Sequence, residues 1–203
     1  MKCNMNYRDS YKYADHEPER EERKPSPSPP PYPKPKHQTE TILRCGTSVG
    51  STTLSCNGPV LDGGYGWCPT VLATVALDTN QLIDPTIKID FSSLVSFKTC
   101  GDDNYFLRLV FKLSKICGGS PIPLGTWSFE KIHHENDAVA QINGGEFVQE
   151  TDSFSFSWCG CEDCPDCCRY IVEIVEQQCY NIDFATVNSI SLAALAVGLK
   201  KGY

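Results

Sequence analysis

The stretch Tyr105-Phe106-Leu107-Arg108-Leu109-Val110-Phe111-Lys112-Leu113-Ser114-Lys115-Ile116 decides the fold. Leu107, Leu109, Phe111 and Leu113 recur at every second position, with Arg108 and Lys112 between them. Side chains of a strand point alternately to its two faces, so this spacing predicts a half-buried β-strand. Just downstream, Cys117-Gly118-Gly119-Ser120-Pro121 turns the chain. Residues 122–131, with Trp127 and Phe129, then return as a second strand, and the pair reads as an antiparallel hairpin.

The same alternation recurs on both sides. In Thr86-Ile87-Lys88-Ile89-Asp90-Phe91, the three apolar residues share one face. Residues 92–97 continue that strand after a bend. Asp84-Pro85 and Gly101-Asp102-Asp103-Asn104 carry turn chemistry. Residues 41–46 and 71–78 read as strands, and the Gly/Ser/Thr/Asn-rich segment 47–70 as one or two strands with long loops. Residues 133–145 read as a loop and 147–150 as a short strand. Asp152–Trp158 alternates aromatic with small polar residues, and residues 169–176 and 182–187 are further strands. Ser191–Ala196 reads as a helical turn or a strand. Eight or so short strands, with turn signals between them and no helical period, predict an all-β fold: an antiparallel β-sandwich or jelly roll. No internal repeat is evident.

Residues 1–40 differ in kind. A mixed charge run, 15–24, precedes Pro25-Ser26-Pro27-Ser28-Pro29-Pro30-Pro31-Tyr32-Pro33-Lys34-Pro35-Lys36. This composition favours extended polyproline II and a flexible N-terminal arm, with the Cys-rich sandwich domain spanning 41–203. Cys3, at the far end of that spacer, is placed to bond to another subunit. The chain carries a net charge of −7, which argues against general nucleic-acid binding, because phosphates demand basic surface. The longest apolar run, 190–199, is too short and interrupted to span a bilayer.

Twelve cysteines in 203 residues point to disulfides in an oxidising place, or to metal. The N-terminal residues lack the apolar core of a secretory signal, so the expected location is extracellular or spore-surface without a Sec signal peptide. Five of the cysteines fall in Cys159-Gly160-Cys161-Glu162-Asp163-Cys164-Pro165-Asp166-Cys167-Cys168. Cys161, Cys164, Cys167 and Cys168 have the local spacing of a zinc knuckle, but the usual distant second knuckle is missing. Ferredoxin spacing is absent. The preferred reading is no cofactor and disulfide or crosslink roles for Cys3, Cys45, Cys56, Cys68, Cys100, Cys117, Cys159, Cys161, Cys164, Cys167, Cys168 and Cys179. Zinc on the four-thiol set is the alternative.

Motifs for catalysis are missing. His133 and His134 are adjacent in a polar stretch, so they make a poor base pair or metal pair. Asp102-Asp103-Asn104 is explained by turn chemistry before calcium. The sequence has no phosphate loop and no nucleophile elbow. The chain is therefore expected not to be an enzyme. Trp67, Trp127 and Trp158 could stack on sugars, but core packing is the default for those in strand patterns.

Several segments together resemble a known family. They are Leu43-Arg44-Cys45-Gly46-Thr47, Val75-Ala76-Leu77-Asp78-Thr79, residues 85–93, Leu124-Gly125-Thr126-Trp127-Ser128-Phe129, and Phe154-Ser155-Phe156 with the cysteine cluster. In that order they resemble the bacterial family called domain of unknown function 4489, over roughly residues 41–197. The resemblance implies a spore-forming anaerobe of the Clostridia and supplies no catalytic residues. The layout, a cysteine-bearing arm before a sandwich, is also similar to subunits of bacterial endospore appendages, by architecture alone. The function expected from these readings is a structural subunit. It would self-assemble as a homo-oligomer or helical polymer, in a filament or spore-surface layer, through sheet-edge pairing and disulfide crosslinks. A metal-binding or redox module using residues 159–168 and a carbohydrate-binding sandwich are the alternatives.

Overall fold

A computed structural model of the chain describes residues 38–56, 69–100, 104–133, 147–161 and 167–201. By its internal contacts the chain divides into Met1–Pro35 and Lys36–Tyr203, and every described residue belongs to the second unit. The arm expected over 1–40 therefore falls almost wholly outside the described residues, as do Cys3, Cys68, Cys164, Trp67, His134 and the turn at 101–103.

Ten strands follow in chain order: β1 (Thr39–Cys45), β2 (Thr47–Ser48), β3 (Ser51–Leu54), β4 (Thr70–Asp78), β5 (Leu82–Thr99), β6 (Tyr105–Ile116), β7 (Ile122–His133), β8 (Gln149–Cys161), β9 (Cys167–Tyr180) and β10 (Ile182–Lys200). No helix occurs among the described residues. Two antiparallel sheets result. Sheet A runs β1-β10-β5-β8, with β3 on the same side of β10 as β1, and sheet B runs β2-β4-β9-β6-β7. Counting only the long strands, β1 and β4 to β10, the orders are first-eighth-third-sixth and second-seventh-fourth-fifth. That is the double Greek key of a jelly roll, so the expected sandwich stands.

The core lies between the sheets. Leu107, Leu109, Phe111 and Leu113 of β6 are fully buried, as their alternation requires, and Arg108 and Lys112 point out. They face Ile87, Ile89, Phe91, Val95 and Phe97 of β5 and the small residues Ala185, Ala194 and Ala196 of β10. Burying each large side chain stabilises the fold by about 1.5–3 kcal/mol.

The strands are longer than the sequence suggested. Residues 82–99 form one strand, so Asp84-Pro85 is not the expected turn but an irregularity inside β5. Asp84 takes a left-handed φ of 47°, and the register against β10 shifts beside it. Pro85 has no N–H to donate, and such a break in the ladder is where a strand tolerates one. The true turn lies just upstream: Leu82 N–H donates to the Thr79 carbonyl at 2.9 Å, and Asn80 N–H to Asp78 Oδ1 at 3.0 Å. The short strand expected at 147–150 is the beginning of β8, and Ser191–Ala196, left between helix and strand, belongs to β10.

The two sides of the sandwich close differently. On one side the chain itself crosses, from β1 in sheet A through Gly46 to β2 in sheet B and back to β3. On the other, edge strands β7 and β8 meet through aromatic rings. Trp127 stacks on Phe156 at 3.9 Å, Phe111 on Phe154 at 4.3 Å, and Phe129 meets Phe154 edge-on. Lys131 of β7 seals the rim by pairing with Asp152 at 2.7 Å and Glu150 at 3.5 Å on β8.

Candidate functional site

Strand β8 carries two of the exposed free cysteines among the described residues. Its inward residues are Phe154, Phe156 and Trp158, which pack against the core. The alternation continues through Gly160, over which the Trp158 indole lies so closely that a Cβ there would meet the ring. The outward set is therefore Ser153, Ser155, Ser157, Cys159 and Cys161. The strand expected from sequence ends at Trp158. The period-two signal in fact runs to Cys161, because glycine holds the inward slot at 160.

The described cysteines of the cluster are thus divided between two sheets. Cys159 and Cys161 lie on β8 in sheet A, while Cys167 and Cys168 begin β9 in sheet B. Cys168 points inward, is buried, and is bonded to Cys117 at the end of β6. The register explains the pairing, since Ile116 lies opposite Arg169 and the next residues meet. A second disulfide joins Cys56, just after β3, to Cys179 on β9 and so ties sheet A to sheet B. Gln177 steadies it: its Nε2 donates to the Ser55 carbonyl at 2.9 Å and lies 3.2 Å from Cys179 Sγ. Of the set Cys161, Cys164, Cys167 and Cys168, Cys168 is bonded to Cys117 and Cys164 lies outside the described residues. Among the described residues, no group of three or more His, Cys, Asp or Glu side chains is placed to hold a metal.

Cys45, Cys100, Cys159, Cys161 and Cys167 are free and exposed. Cys45 ends β1 at one edge of sheet A, and Cys159 and Cys161 lie on β8 at the other. Ile42 of β1 packs against the core, so Cys45, three residues on, points outward with Leu43, which is 62% exposed. All three thiols therefore sit on the outer face of sheet A.

That face is polar next to β8. Lys88, opposite Cys159 on β5, pairs with Asp90 at 2.9 Å. The Ser157 hydroxyl donates to Asp90 Oδ1 at 2.5 Å. This hydroxyl, and after it Lys88, holds the Asp90 carboxyl below its ordinary value. The Asp90 carboxylate in turn raises Lys88. On sheet B, Tyr105 is raised by burial and by nearby Glu150.

Among the described residues, β8 hydrogen-bonds along one side only, to β5, and β1 only to β10. Each therefore leaves one backbone edge without a partner strand among the described residues, with Cys45 on β1 and Cys159 and Cys161 on β8. Trp127 and Trp158 are partly buried against the core, so neither forms the exposed platform that sugar stacking needs. Among the described residues, no helix is long and apolar enough to cross a membrane. A search of curated proteins found no match. The family model described as Domain of unknown function (DUF4489) matches residues 39–197, which is nearly the whole of this sandwich, and the chain belongs to that family.

Proposed function

We propose that the protein is a structural, non-enzymatic subunit that self-assembles through its sheet edges and is then fixed by disulfides. The observation that carries this reading is the coincidence of open edges with free thiols. The outer side of β8, 13 residues long, pairs with no described strand, and the cysteines on it and on β1 are exposed. An unprotected edge is a template for strand addition, and monomeric proteins usually blunt such edges with charge, proline or a bulge. From Ser153 to Cys161, beyond the Glu150 and Asp152 that pair with Lys131, β8 carries no charge or proline, and it has no register shift against β5. Two intrachain disulfides suit an oxidising compartment, in keeping with an extracellular or spore-surface layer or filament. Cys3, at the end of the N-terminal segment, is a further crosslink candidate.

Electron microscopy of native material, with electrophoresis with and without reductant, tests the proposal. Filaments or sheets and a reductant-sensitive ladder are expected. A monomer under oxidising conditions, unchanged by Cys3→Ser, overturns it. The rival metal or redox reading predicts stoichiometric zinc or iron by elemental analysis of the reduced protein.

A further inference from the structure

We infer that the two edges of sheet A are complementary to each other, so that β8 of one copy pairs with β1 of the next and Cys45 bonds to Cys159 across the joint. This rests on the self-assembly reading and specifies its joint.

Three features of sheet A carry the inference. The first is direction. From β1 through β10 and β5 to β8 every neighbour is antiparallel, so β1 and β8 run oppositely. A second copy set beside the first by simple translation presents its β1, and β3 on the same edge, antiparallel to β8.

The second is hydrogen-bond phase. In an antiparallel pair, a residue directs both its N–H and its C=O to the same side, and its neighbours direct theirs to the other. Gly46 N–H donates to Leu192 O at 2.7 Å, and Lys200 N–H to Gln38 O at 2.8 Å. The even-numbered residues of this segment thus bond to β10, and Thr41, Leu43 and Cys45 present their backbone groups to the free edge. On β8, Thr99 N–H donates to Val148 O at 2.9 Å, and the β5–β8 register runs without a shift. Even-numbered residues again bond inward, leaving Ser157, Cys159 and Cys161 to present theirs outward. Both free edges therefore offer odd-numbered residues, and these can oppose each other directly as hydrogen-bonded pairs.

The third is the face. The same odd-numbered residues put their side chains on the outer face of sheet A, so thiols from both edges meet on one side. Continued in straight rows, the sheet sets Cys45 opposite Ser157, because Cys45, Ala193, Asp90 and Ser157 form one row. A two-residue stagger, about 7 Å, sets Cys45 opposite Cys159 and Leu43 opposite Cys161, and sets Ser51–Leu54 of β3, on the same edge, opposite residues 152–155 of β8, so the described joint is made by the end of β1 together with β3. Opposed hydrogen-bonded residues have Cα atoms about 5.5 Å apart, within the range a disulfide spans. Because the joint uses two different edges, it is heterologous and propagates into a filament or closes into a ring.

The bond forms by thiol–disulfide exchange with a small disulfide such as glutathione disulfide. The Cys45 thiolate attacks it and expels one glutathione thiolate. The Cys159 thiolate of the neighbour then attacks the Cys45 sulfur and expels the second, so two protein thiols are oxidised as one glutathione disulfide is reduced to two thiols.

The test uses the full chain, treated with glutathione disulfide and read by non-reducing electrophoresis, peptide mass spectrometry and electron microscopy. Wild type gives a ladder containing a Cys45–Cys159 peptide. Cys45→Ser alone and Cys159→Ser alone each lose that ladder. An equal mixture of the two variants stops at dimers, since each copy then retains one half of the joint. A ladder that persists in either variant alone, or that runs only through Cys3, overturns this joint and leaves self-assembly standing. A wild type that stays monomeric both on the gel and under the microscope overturns both.

Discussion

At Gly46 the chain leaves sheet A for sheet B, and there is no room for a side chain. A Cβ at this position would lie 2.6 Å from the Thr74 carbonyl oxygen and 3.2 Å from Leu192 Cβ. Both neighbours are fixed by sheet pairing, so Gly46→Ala is expected to cost about 1–3 kcal/mol, measured by denaturant unfolding. Charge effects at this scale are smaller and depend on pH. Asp90 is held below its ordinary value of 3.8, first by the Ser157 hydroxyl and then by Lys88. A carboxylate with a lowered folded value stabilises the fold above its unfolded value, and that contribution disappears as pH falls through the folded value. Asp90→Asn is therefore expected to lower stability at pH 7, with the gap from wild type closing below about pH 4. Unfolding curves at pH 7 and pH 3 check this. Neither role was legible from local sequence. Gly46 is one glycine among many until the crossing is known, and Asp90 meets Ser157 only because β5 pairs with β8.

Strand β10 shows what periodicity can and cannot reveal. Ala185 and Val187 point inward, and after Ser189 the inward set becomes Ile190, Leu192, Ala194 and Ala196. Counted straight through, this pattern breaks, so the sequence reading divided the segment into a strand and an undecided piece. The physical device is a bulge: the register shifts between Asn188 and Ser191, and Ser189 takes a left-handed φ of 50°. The extra residue resets the alternation and keeps both halves facing the core. A β-branched residue tolerates that backbone poorly, so Ser189→Ile is expected to cost about 1–2 kcal/mol, and Ser189→Gly to be neutral or stabilising by up to about 1 kcal/mol. Thermal melts of the two variants separate this from a simple burial effect, since Ser189 is exposed. Where no bulge intervenes, the alternation was legible: the inward faces of β6 and of residues 87–91 are those read from sequence. On β8 the expected strand covered residues 152–158, and its extension to Cys161 went unread only because glycine occupies the inward slot at 160.

For the whole molecule, the cysteines fall into two classes by depth, and the classes have separable consequences. The intrachain pairs are the less exposed: Cys168 is 3% exposed, and Cys56, Cys117 and Cys179 are partly buried against the core. Each closes a long stretch of chain, with sequence separations of 123 for Cys56–Cys179 and 51 for Cys117–Cys168. In the chain-entropy model such closures stabilise by about 4–5 kcal/mol each, and real disulfides by about 2–5 kcal/mol. The double variant Cys56→Ser/Cys179→Ser, which leaves no stray thiol, is therefore expected to lose about 2–5 kcal/mol in denaturant unfolding. The sequence supplied the thiols and their density but not this partition, because connectivity depends on which strands the topology makes neighbours. The free thiols of Cys45, Cys159 and Cys161, by contrast, lie on the outer surface. Bonds made between copies there are open to solvent and to small thiols, whereas Cys117–Cys168 is shielded by burial. A graded reductant titration of the assembled protein is thus expected to give two separate transitions. Oligomers fall to monomers first, followed by light scattering, while near-ultraviolet circular dichroism stays native. Loss of the native signal follows only at higher reductant, when the intrachain pairs open. A single coincident transition would mean that the bonds joining copies are as deeply protected as those within them, and would place the joint away from the surface thiols.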